Sequence, residues 1–299
     1  METNGFRFGE VRNGDVTIRY AGRGDPRAPL LLVLHGFPEF WAGWRAVMTR
    51  LADRFHVVAP DQRGYNQSSK PAELEAYRVG HLAADVAALA DALSPDRPFA
   101  LAGHDWGASI AYAFAFAHPE RLSHLVIANG VHPACFQRAI FEDETQRQAS
   151  QYINKLKAPE AEERLSADGH RRLLRMITGF SKADWMTEAE AEAYRSAWSQ
   201  PGALTGMLNW YRASPVIVPE PGAPAPHSPI LDMPVEVLTV KVPHLVLWGE
   251  ADAALRPECL SGLETFAPRL TIRRVQDAGH WILHEKPDAV ADEIIRFVA

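Results

Sequence analysis

Runs of apolar residues alternate with stretches of helical periodicity along the first part of the chain. The run Leu30–Leu34 and the run 55–60 have the pattern of strands that are buried on both faces of a parallel sheet. Residues 41–51 and 77–93 instead carry apolar side chains at helical spacing. Strands that alternate with helices in this way predict a parallel α/β sheet with right-handed crossover connections.

The remaining strands of this first part follow the same plan. Residues 7–11 and 16–20 predict a β-hairpin with Asn13-Gly14 in its turn. The apolar runs 99–102 and 124–129 predict two more strands, which are the fifth and the sixth along the chain.

The pattern changes after the sixth strand, where no comparable buried strand occurs for about a hundred residues. Helical stretches are predicted there at 145–156, 161–165, 169–178, 188–198 and 204–214, and the Pro-rich segment 215–229 predicts a loop. Strands at 243–248 and 270–275 and helices at 257–266 and 288–298 then resume the α/β pattern. We therefore predict one α/β core built from residues 1–134 and 235–299, with a helical cap of residues 135–234 inserted after the sixth strand.

Composition and charge narrow the class of protein. The formal net charge of −6 argues against a nucleic-acid or anionic-membrane partner. We find no apolar stretch long enough to span a bilayer and no secretory signal at the N-terminus. Cys135 and Cys259 fit a reducing cytoplasm better than a disulfide framework, so we expect a cytoplasmic protein. Nothing has the spacing of a zinc or iron–sulfur site, and no metal is expected.

The most informative stretch is Gly103-His104-Asp105-Trp106-Gly107-Ala108, which lies between a predicted strand and a predicted helix. Small residues around a central reactive residue are typical of the strained turn called a nucleophile elbow. An aspartate at its centre is ionised near neutral pH without a base, and it can attack a saturated carbon to form an alkyl ester. The alternative is a structural Asp105 that caps the following helix.

Two further residues follow strands and could complete a catalytic triad. Asp252 comes after the strand at 243–248 and His280 after the strand at 270–275. The order Asp105, Asp252, His280 is the order of nucleophile, acid and base in α/β-hydrolases. An orienting carboxylate would fix the imidazole tautomer of His280. Glu250 is an alternative to Asp252 for this role.

The segment His35-Gly36-Phe37-Pro38 occupies the position expected for an oxyanion loop. A proline at this point is compatible with a cis peptide bond in a tight turn. The backbone N–H groups of Phe37 and Trp106 would then pair across a developing oxyanion.

Five motifs together resemble the epoxide hydrolases of the α/β-hydrolase fold. They are His35-Gly36-Phe37-Pro38, Asp61-Gln62-Arg63-Gly64-Tyr65, Gly103-His104-Asp105-Trp106-Gly107, Leu247-Trp248-Gly249-Glu250-Ala251-Asp252 and Gly279-His280-Trp281. The resemblance covers nearly the whole core. It implies the α/β-hydrolase fold, with a mostly parallel central sheet flanked by helices and a helical cap. It is less specific for the substrate, because haloalkane and haloacetate dehalogenases share the aspartate elbow.

The resemblance also implies a reaction. Asp105 would attack an epoxide carbon, and water activated by His280 would hydrolyse the resulting ester to release a vicinal diol. In this family, two cap tyrosines donate hydrogen bonds to the epoxide oxygen. Asn209-Trp210-Tyr211-Arg212 resembles one of the segments that carry them, which assigns Tyr211. Ser150-Gln151-Tyr152 resembles the other, and Tyr152 is the better candidate there, with Tyr194 and Tyr112 as alternatives.

The pocket should accept a small hydrophobic epoxide, because the cap supplies many aromatic and apolar side chains. We expect the substrate pocket to be lined by His35, Pro38, His104, Trp210 and Trp281. Water is the second reactant, no cofactor is expected, and a homodimer is compatible with the sequence.

Two other functions are weighed against this one. Trp106 matches a halide-contacting tryptophan of haloalkane dehalogenases, but Phe37 stands where many of those enzymes have a halide-binding Asn. Haloacetate dehalogenases carry an Arg at the position of Trp106. The third hypothesis is a non-catalytic receptor that keeps the hydrolase pocket.

Overall fold

The computed structural model describes residues 2–3, 5–179, 181 and 183–298. Its strands are β1 (Glu2–Thr3), β2 (Phe6–Asn13), β3 (Val16–Arg23), β4 (Leu30–Leu34), β5 (His56–Pro60), β6 (Phe99–His104), β7 (Leu122–Ala128), β8 (His244–Gly249) and β9 (Leu270–Val275). Within these ranges they form one nine-stranded sheet in the order β1-β2-β3-β5-β4-β6-β7-β8-β9. The pairs from β5 to β9 are parallel, whereas β1, β2 and β3 pair antiparallel and β3 also runs antiparallel to β5.

The centre of the sheet is β4 and β6, whose residues are all buried. Leu32 of β4 contributes to the apolar layer on one face, and Leu31 contributes to the layer on the other face. This alternation follows from the two-residue period of a strand, and covering both faces requires a run without polar residues. The register pairs Leu34 with Gly103, so the residues that follow these two strands emerge side by side.

Helices cover both faces of the sheet. The core helices are α1 (Arg45–Leu51), α2 (Val79–Leu93), α3 (Trp106–Ala117), α10 (Ile282–Glu285) and α11 (Pro287–Val298). Buried side chains of α2 and α3 join one apolar layer, and those of α1 and α11 join the other. The predicted α/β-hydrolase fold class, with a mostly parallel sheet between helices, is confirmed.

The helices between β7 and β8 are α4 (Pro133–Glu142), α5 (Glu144–Ala149), α6 (Gln151–Lys157), α7 (Ala161–Thr178), α8 (Glu188–Trp198) and α9 (Ala203–Arg212). Local sequence explains several of their ends. Thr187 and Glu190 form a reciprocal capping box at the start of α8. The side chain of Asp143 accepts the backbone N–H of Gln146 at the start of α5. In the described part of the chain, no helix has the length and apolar character needed to cross a membrane.

Several predicted helices were wrong in detail. The single helix at 257–266 is two 3₁₀ turns, Pro257–Leu260 and Leu263–Thr265, separated by Gly262 at a φ of 73°. The stretch 145–156 is two helices, α5 and α6, which meet at Ser150. The two helices predicted at 161–165 and 169–178 are confirmed as separate helical stretches of α7, because the backbone from Ala167 to His170 between them is not helical. The sequence analysis also missed α4, although Pro133 at its first turn is a typical start signal.

Candidate active site

The turn between β6 and α3 holds Asp105 in a strained conformation. Its φ of 52° and ψ of −120° lie outside the regions that ordinary residues prefer. The turn closes tightly because a Cβ at Gly103 would lie 2.4 Å from the carbonyl oxygen of Gly107. A Cβ at Gly107 would in turn lie 2.2 Å from the carbonyl oxygen of Leu34. The Asp105 side chain makes no capping hydrogen bond to α3, which removes the structural alternative.

The Asp105 carboxylate lies against the loop that follows β4. Its Oδ1 accepts a hydrogen bond of 2.7 Å from the backbone N–H of Phe37. A Cβ at Gly36 would lie 2.2 Å from the same oxygen, so only glycine leaves room for this approach. The Phe37–Pro38 peptide bond is cis. The structure therefore brings the predicted oxyanion loop into contact with Asp105, and Trp106 directly follows Asp105 as the first residue of α3.

His280 completes a chain of three side chains with Asp105 and Asp252. Its Nε2 lies 3.5 Å from Asp105 Oδ2, and its Nδ1 lies 2.8 Å from Asp252 Oδ2. Burial opposes the charged imidazolium, but Asp252 and Asp105 outweigh it and raise the pKa of His280 well above 6.5. Burial would likewise raise the pKa of the Asp252 carboxyl, yet His280 and the hydrogen bonds to Asp252 hold it below its usual value.

The alternative acid, Glu250, lies elsewhere. Its Oε1 is 3.7 Å from Arg274 on β9, and both side chains are well exposed to solvent. Asp252 is instead fixed in place, since its Oδ1 accepts backbone N–H groups of Ala254 at 2.8 Å and Leu255 at 2.9 Å. The carboxylate that faces His280 is therefore Asp252.

Asn129 supports that carboxylate, and the sequence analysis missed this contact. Its Nδ2 donates a 2.8 Å hydrogen bond to Asp252 Oδ2, and its Oδ1 accepts the backbone N–H of Gly249 at 2.8 Å. Asn129 follows β7 directly, next to the end of β8, and adopts a φ of 36° that Asn tolerates better than most residues. The sequence signal that could have identified Asn129 is its position directly after a predicted parallel strand.

Two tyrosines from the helices between β7 and β8 lie close to Asp105 and His280. Tyr152 of α6 and Tyr211 of α9 have ring centroids 6.3 Å apart, and the Tyr211 ring lies 5.1 Å from the Phe37 ring. Both border one cavity with Asp105 and His280. Burial raises the pKa of both hydroxyls well above 10, so both stay protonated and able to donate.

The alternative tyrosines are engaged at other positions. The Tyr194 hydroxyl donates a 3.0 Å hydrogen bond to Glu39 Oε1. The Tyr112 hydroxyl lies 2.9 Å from His244 Nε2, and Tyr112 does not line this cavity. Of the four candidates, only Tyr152 and Tyr211 border the cavity that contains Asp105.

The cavity has a volume of about 490 Å³. It is lined by Phe37, Pro38, Asp105, Gln148, Ala149, Gln151, Tyr152, Lys155, Leu156, Ala161, Arg164, Leu165, Arg172, Met176, Tyr211, Ala253, Ala254, His280 and Trp281. Pro38 and Trp281 therefore border it, as expected. Apolar atoms make up most of the surface, which suits a small organic molecule.

The other three predicted pocket residues, His35, His104 and Trp210, do not line this cavity, and that expectation is corrected. The His35 ring is buried, with Nε2 accepting the backbone N–H of Gln62 at 3.1 Å, and burial lowers its pKa to about 4. His104 Nε2 lies 2.8 Å from the backbone oxygen of His280. The Trp210 indole donates a 2.9 Å hydrogen bond to the Arg63 carbonyl oxygen. Each of these three side chains therefore contacts a backbone atom near the site instead of lining the cavity.

The sequence analysis also missed the buried carboxylate of Glu39, which lies beside His104 and His284. Glu39 is 1% exposed, and its Oε1 lies 2.6 Å from His284 Nε2 while its Oε2 lies 3.2 Å from His104 Nδ1. Burial would raise the pKa of Glu39, but the two histidines outweigh this effect and hold the pKa well below its usual value. Glu39 thus anchors His104, which in turn contacts the backbone of His280.

The fold and the strand-end arrangement of Asp105, Asp252 and His280 define a class of protein. Residues 29–287 match the family model described as alpha/beta hydrolase fold, and the chain belongs to that class. Among the described residues, no group of His, Cys, Asp and Glu side chains is arranged to hold a metal ion.

Similar proteins narrow the class further. AB hydrolase superfamily protein YfhM of Bacillus subtilis (strain 168) is 33% identical over 297 residues, which is 99% of each chain. Epoxide hydrolase 4 of Mus musculus is 32% identical, over 96% of this chain and 78% of that protein. A solved structure of novel epoxide hydrolases from metagenomes of hot environments is 37% identical, with a TM-score of 0.86 over 98% of this chain and 99% of that chain. The chain belongs to the epoxide hydrolase family of the α/β hydrolase fold.

Proposed function

We propose that this protein hydrolyses an epoxide to a vicinal diol through an ester on Asp105. The observation that carries the proposal is one cavity lined by the elbow carboxylate and by two tyrosines whose hydroxyls stay protonated. The names of the relatives support the same activity. We also propose that residues 135–234 act as the cap unit that supplies the tyrosines.

In the first half-reaction, the Asp105 carboxylate forms a bond to one epoxide carbon while the C–O bond of that carbon breaks. Oδ2 is the attacking oxygen, because Oδ1 is held by the Phe37 N–H. Tyr152 and Tyr211 donate hydrogen bonds to the departing oxygen, and one of them gives up a proton to it. A positioned general acid of this kind contributes roughly 10²–10⁴-fold to a rate.

In the second half-reaction, His280 takes a proton from water, and the water oxygen attacks the ester carbonyl carbon. The Phe37 N–H remains on the carbonyl oxygen, with the Trp106 N–H as its proposed partner. The bond between the carbonyl carbon and the alkoxy oxygen then breaks, the departing alkoxide takes the proton of the Asp105 carboxylic acid, and the diol leaves. The His280 imidazolium returns its proton to the tyrosinate that the first half-reaction produced, which restores the starting state. Ester formation itself prepares the base, because it removes the Asp105 charge that helps to raise the pKa of His280.

Dehalogenation is the alternative reaction for this nucleophile. The Trp106 ring lies 5.1 Å from the Tyr211 ring and borders a neighbouring cavity that Asp105, Tyr152 and Tyr211 also line, so an indole is present next to the proposed nucleophile. Two tyrosine hydroxyls favour epoxide chemistry, because a departing halide needs no proton whereas an opened epoxide does.

Single-turnover mass spectrometry of the His280→Gln variant tests the proposal. The variant can form the ester but lacks the base that hydrolyses it, so a styrene-type epoxide should add its intact mass to the peptide containing Asp105. Asp105→Asn is the matched control and should form no adduct. An adduct from a bromoalkane alone, with release of halide, would establish dehalogenation instead. No adduct from either, with retained binding of small molecules, would favour the non-catalytic receptor.

A further inference from the structure

The loop between β9 and α10, which carries His280, is held from both sides of that residue. On one side, the His280 backbone oxygen lies 2.8 Å from His104 Nε2. On the other side, the Gly279 backbone N–H donates a hydrogen bond to Glu285 Oε2. Asp277, earlier in the loop, adopts a φ of 55°, so the loop depends on such contacts to keep its shape.

Glu285 also contacts the cap. Its Oε1 accepts a 2.9 Å hydrogen bond from the Ser181 hydroxyl, which belongs to the segment between α7 and α8. The Trp185 indole N–H donates to the same hydroxyl oxygen at 3.1 Å. The Trp185 ring is stacked on the His284 ring, with centroids 3.7 Å apart and planes 7° apart. The Glu285 carboxylate therefore links the loop that carries His280 to the segment between α7 and α8. That segment packs on α10 through the stacking of Trp185 on His284.

We propose that Glu285 is a positioning residue for His280, which it holds through the Gly279 N–H and couples to the cap through Ser181. The proposal rests on the proposed function, in which His280 is the base of ester hydrolysis. Glu285 itself does not line the cavity that contains Asp105, so its effect is transmitted through the backbone of the loop. Displacement of a catalytic group by about 1 Å can cost about 10²-fold in rate.

The two half-reactions separate this role from a merely structural one. Ring opening depends on Asp105, which follows β6, and on Tyr152 and Tyr211, which lie on α6 and α9. Ester hydrolysis also depends on His280. Loss of the Glu285 contact should therefore slow the second half-reaction alone and let the ester accumulate.

Rapid-quench mass spectrometry with a styrene-type epoxide measures both half-reactions in the full-length protein. For Glu285→Ala we expect ester hydrolysis to slow by about 10- to 100-fold, with ester formation within about twofold of the wild type. Glu285→Gln keeps an oxygen for the Gly279 N–H and an amide that can donate to Ser181, so it should stay within about threefold. Ser181→Ala removes only the link to the cap and should slow hydrolysis by a few-fold at most.

Glu162→Ala is the matched control for general destabilisation. It removes a partly buried carboxylate that pairs with Arg212 at 2.6 Å within the cap, away from the loop of His280. We expect a lower thermal midpoint and no selective loss of ester hydrolysis. A proportional loss of both half-reactions in Glu285→Ala, or unchanged hydrolysis in a folded Glu285→Ala protein, would overturn the proposal.

A second readout does not depend on turnover. The His280 Nδ1 proton, which faces Asp252, should give a low-field NMR signal that is assigned by its absence in His280→Gln. It should be shifted or broadened in Glu285→Ala and retained in Glu285→Gln and Glu162→Ala. An unchanged signal in Glu285→Ala contradicts the proposal even if no variant forms an ester. Failure of the wild type to form any ester counts against the proposed function alone.

Discussion

The core and the proposed cap supply the candidate site in different ways. In the core, Asp105 and His280 follow parallel strands of one mixed sheet, and their side chains meet at the ends of those strands. In the cap, Tyr152 and Tyr211 belong to two helices that are far apart in sequence and meet only through tertiary packing. Under the proposed mechanism, this structural division is also chemical, because the tyrosines serve ring opening and His280 serves ester hydrolysis.

The largest effect is expected at the residue that both half-reactions use. Asp105→Asn removes the nucleophile of the first half-reaction and the ester of the second, so diol formation should fall by about 10⁴-fold or more. Steady-state turnover of a styrene-type epoxide measures it, with circular dichroism to show that the fold is retained. Activity within tenfold of the wild type would mean that another group attacks the substrate.

Substitutions in the cap should affect ring opening alone. Tyr152→Phe and Tyr211→Phe each remove one donor to the departing oxygen, and each should slow ester formation by about 10²-fold. Hydrolysis of an ester once formed should change by less than about threefold. Rapid-quench measurement of the two steps is the test.

The control for the cap tyrosines is Tyr112→Phe, which removes a buried hydroxyl near His244 that does not face the cavity. It should cost about 1 kcal/mol of stability and leave both steps unchanged. If Tyr152→Phe slowed hydrolysis as much as ester formation, the division between cap and core would be lost.

The core could be predicted from the sequence because its signals are local. An apolar run of five residues followed by a small or polar motif places a strand and the group at its end, and the sheet supplies the rest. The strand-end positions of Asp105, Asp252 and His280, whose side chains the structure brings together, were all predicted in this way.

The contacts that the sequence analysis missed join segments that are distant along the chain. Glu39 and Asn129 carry no motif, and their roles follow from partners such as His284 and Asp252 that only the fold brings near. Trp210 has the apolar character of a pocket residue, yet its indole is used to bind the Arg63 carbonyl oxygen.

Substitution of Asn129, which binds the Asp252 carboxylate, tests the proposed role of the core in ester hydrolysis. Asn129→Ala removes the 2.8 Å hydrogen bond to Asp252 and leaves the Gly249 N–H without its partner. We expect ester hydrolysis to slow by about tenfold, equivalent to about 1.4 kcal/mol, with ester formation nearly unchanged. A larger effect on ester formation than on hydrolysis would contradict the assignment of Asn129 to the acid.

The smallest expected effect is on the free energy of unfolding. Its dependence on pH tests the His280–Asp252 pair without a substrate. The pKa of His280 is raised in the folded state, so its contribution is fully present below the unfolded value of about 6.5 and is lost as pH rises through the folded value. The pKa of Asp252 is lowered, so its contribution is present above its unfolded value of about 4 and is lost as pH falls through the folded value. Both contributions are therefore complete between about pH 4 and 6.5.

Urea unfolding of the wild type and of His280→Gln at pH 5.5 to 9 measures this pair. The difference in the free energy of unfolding should be largest near pH 5.5 and should shrink by about 1 kcal/mol or more toward pH 9. His244→Gln gives the opposite sign, because burial lowers the pKa of His244 to about 4 and its contribution grows as pH rises from about 4 to 6.5. Parallel slopes for the two variants would mean that His280 is neutral in the folded protein, and the Asp105 carboxylate would then lack a charged neighbour before substrate binds.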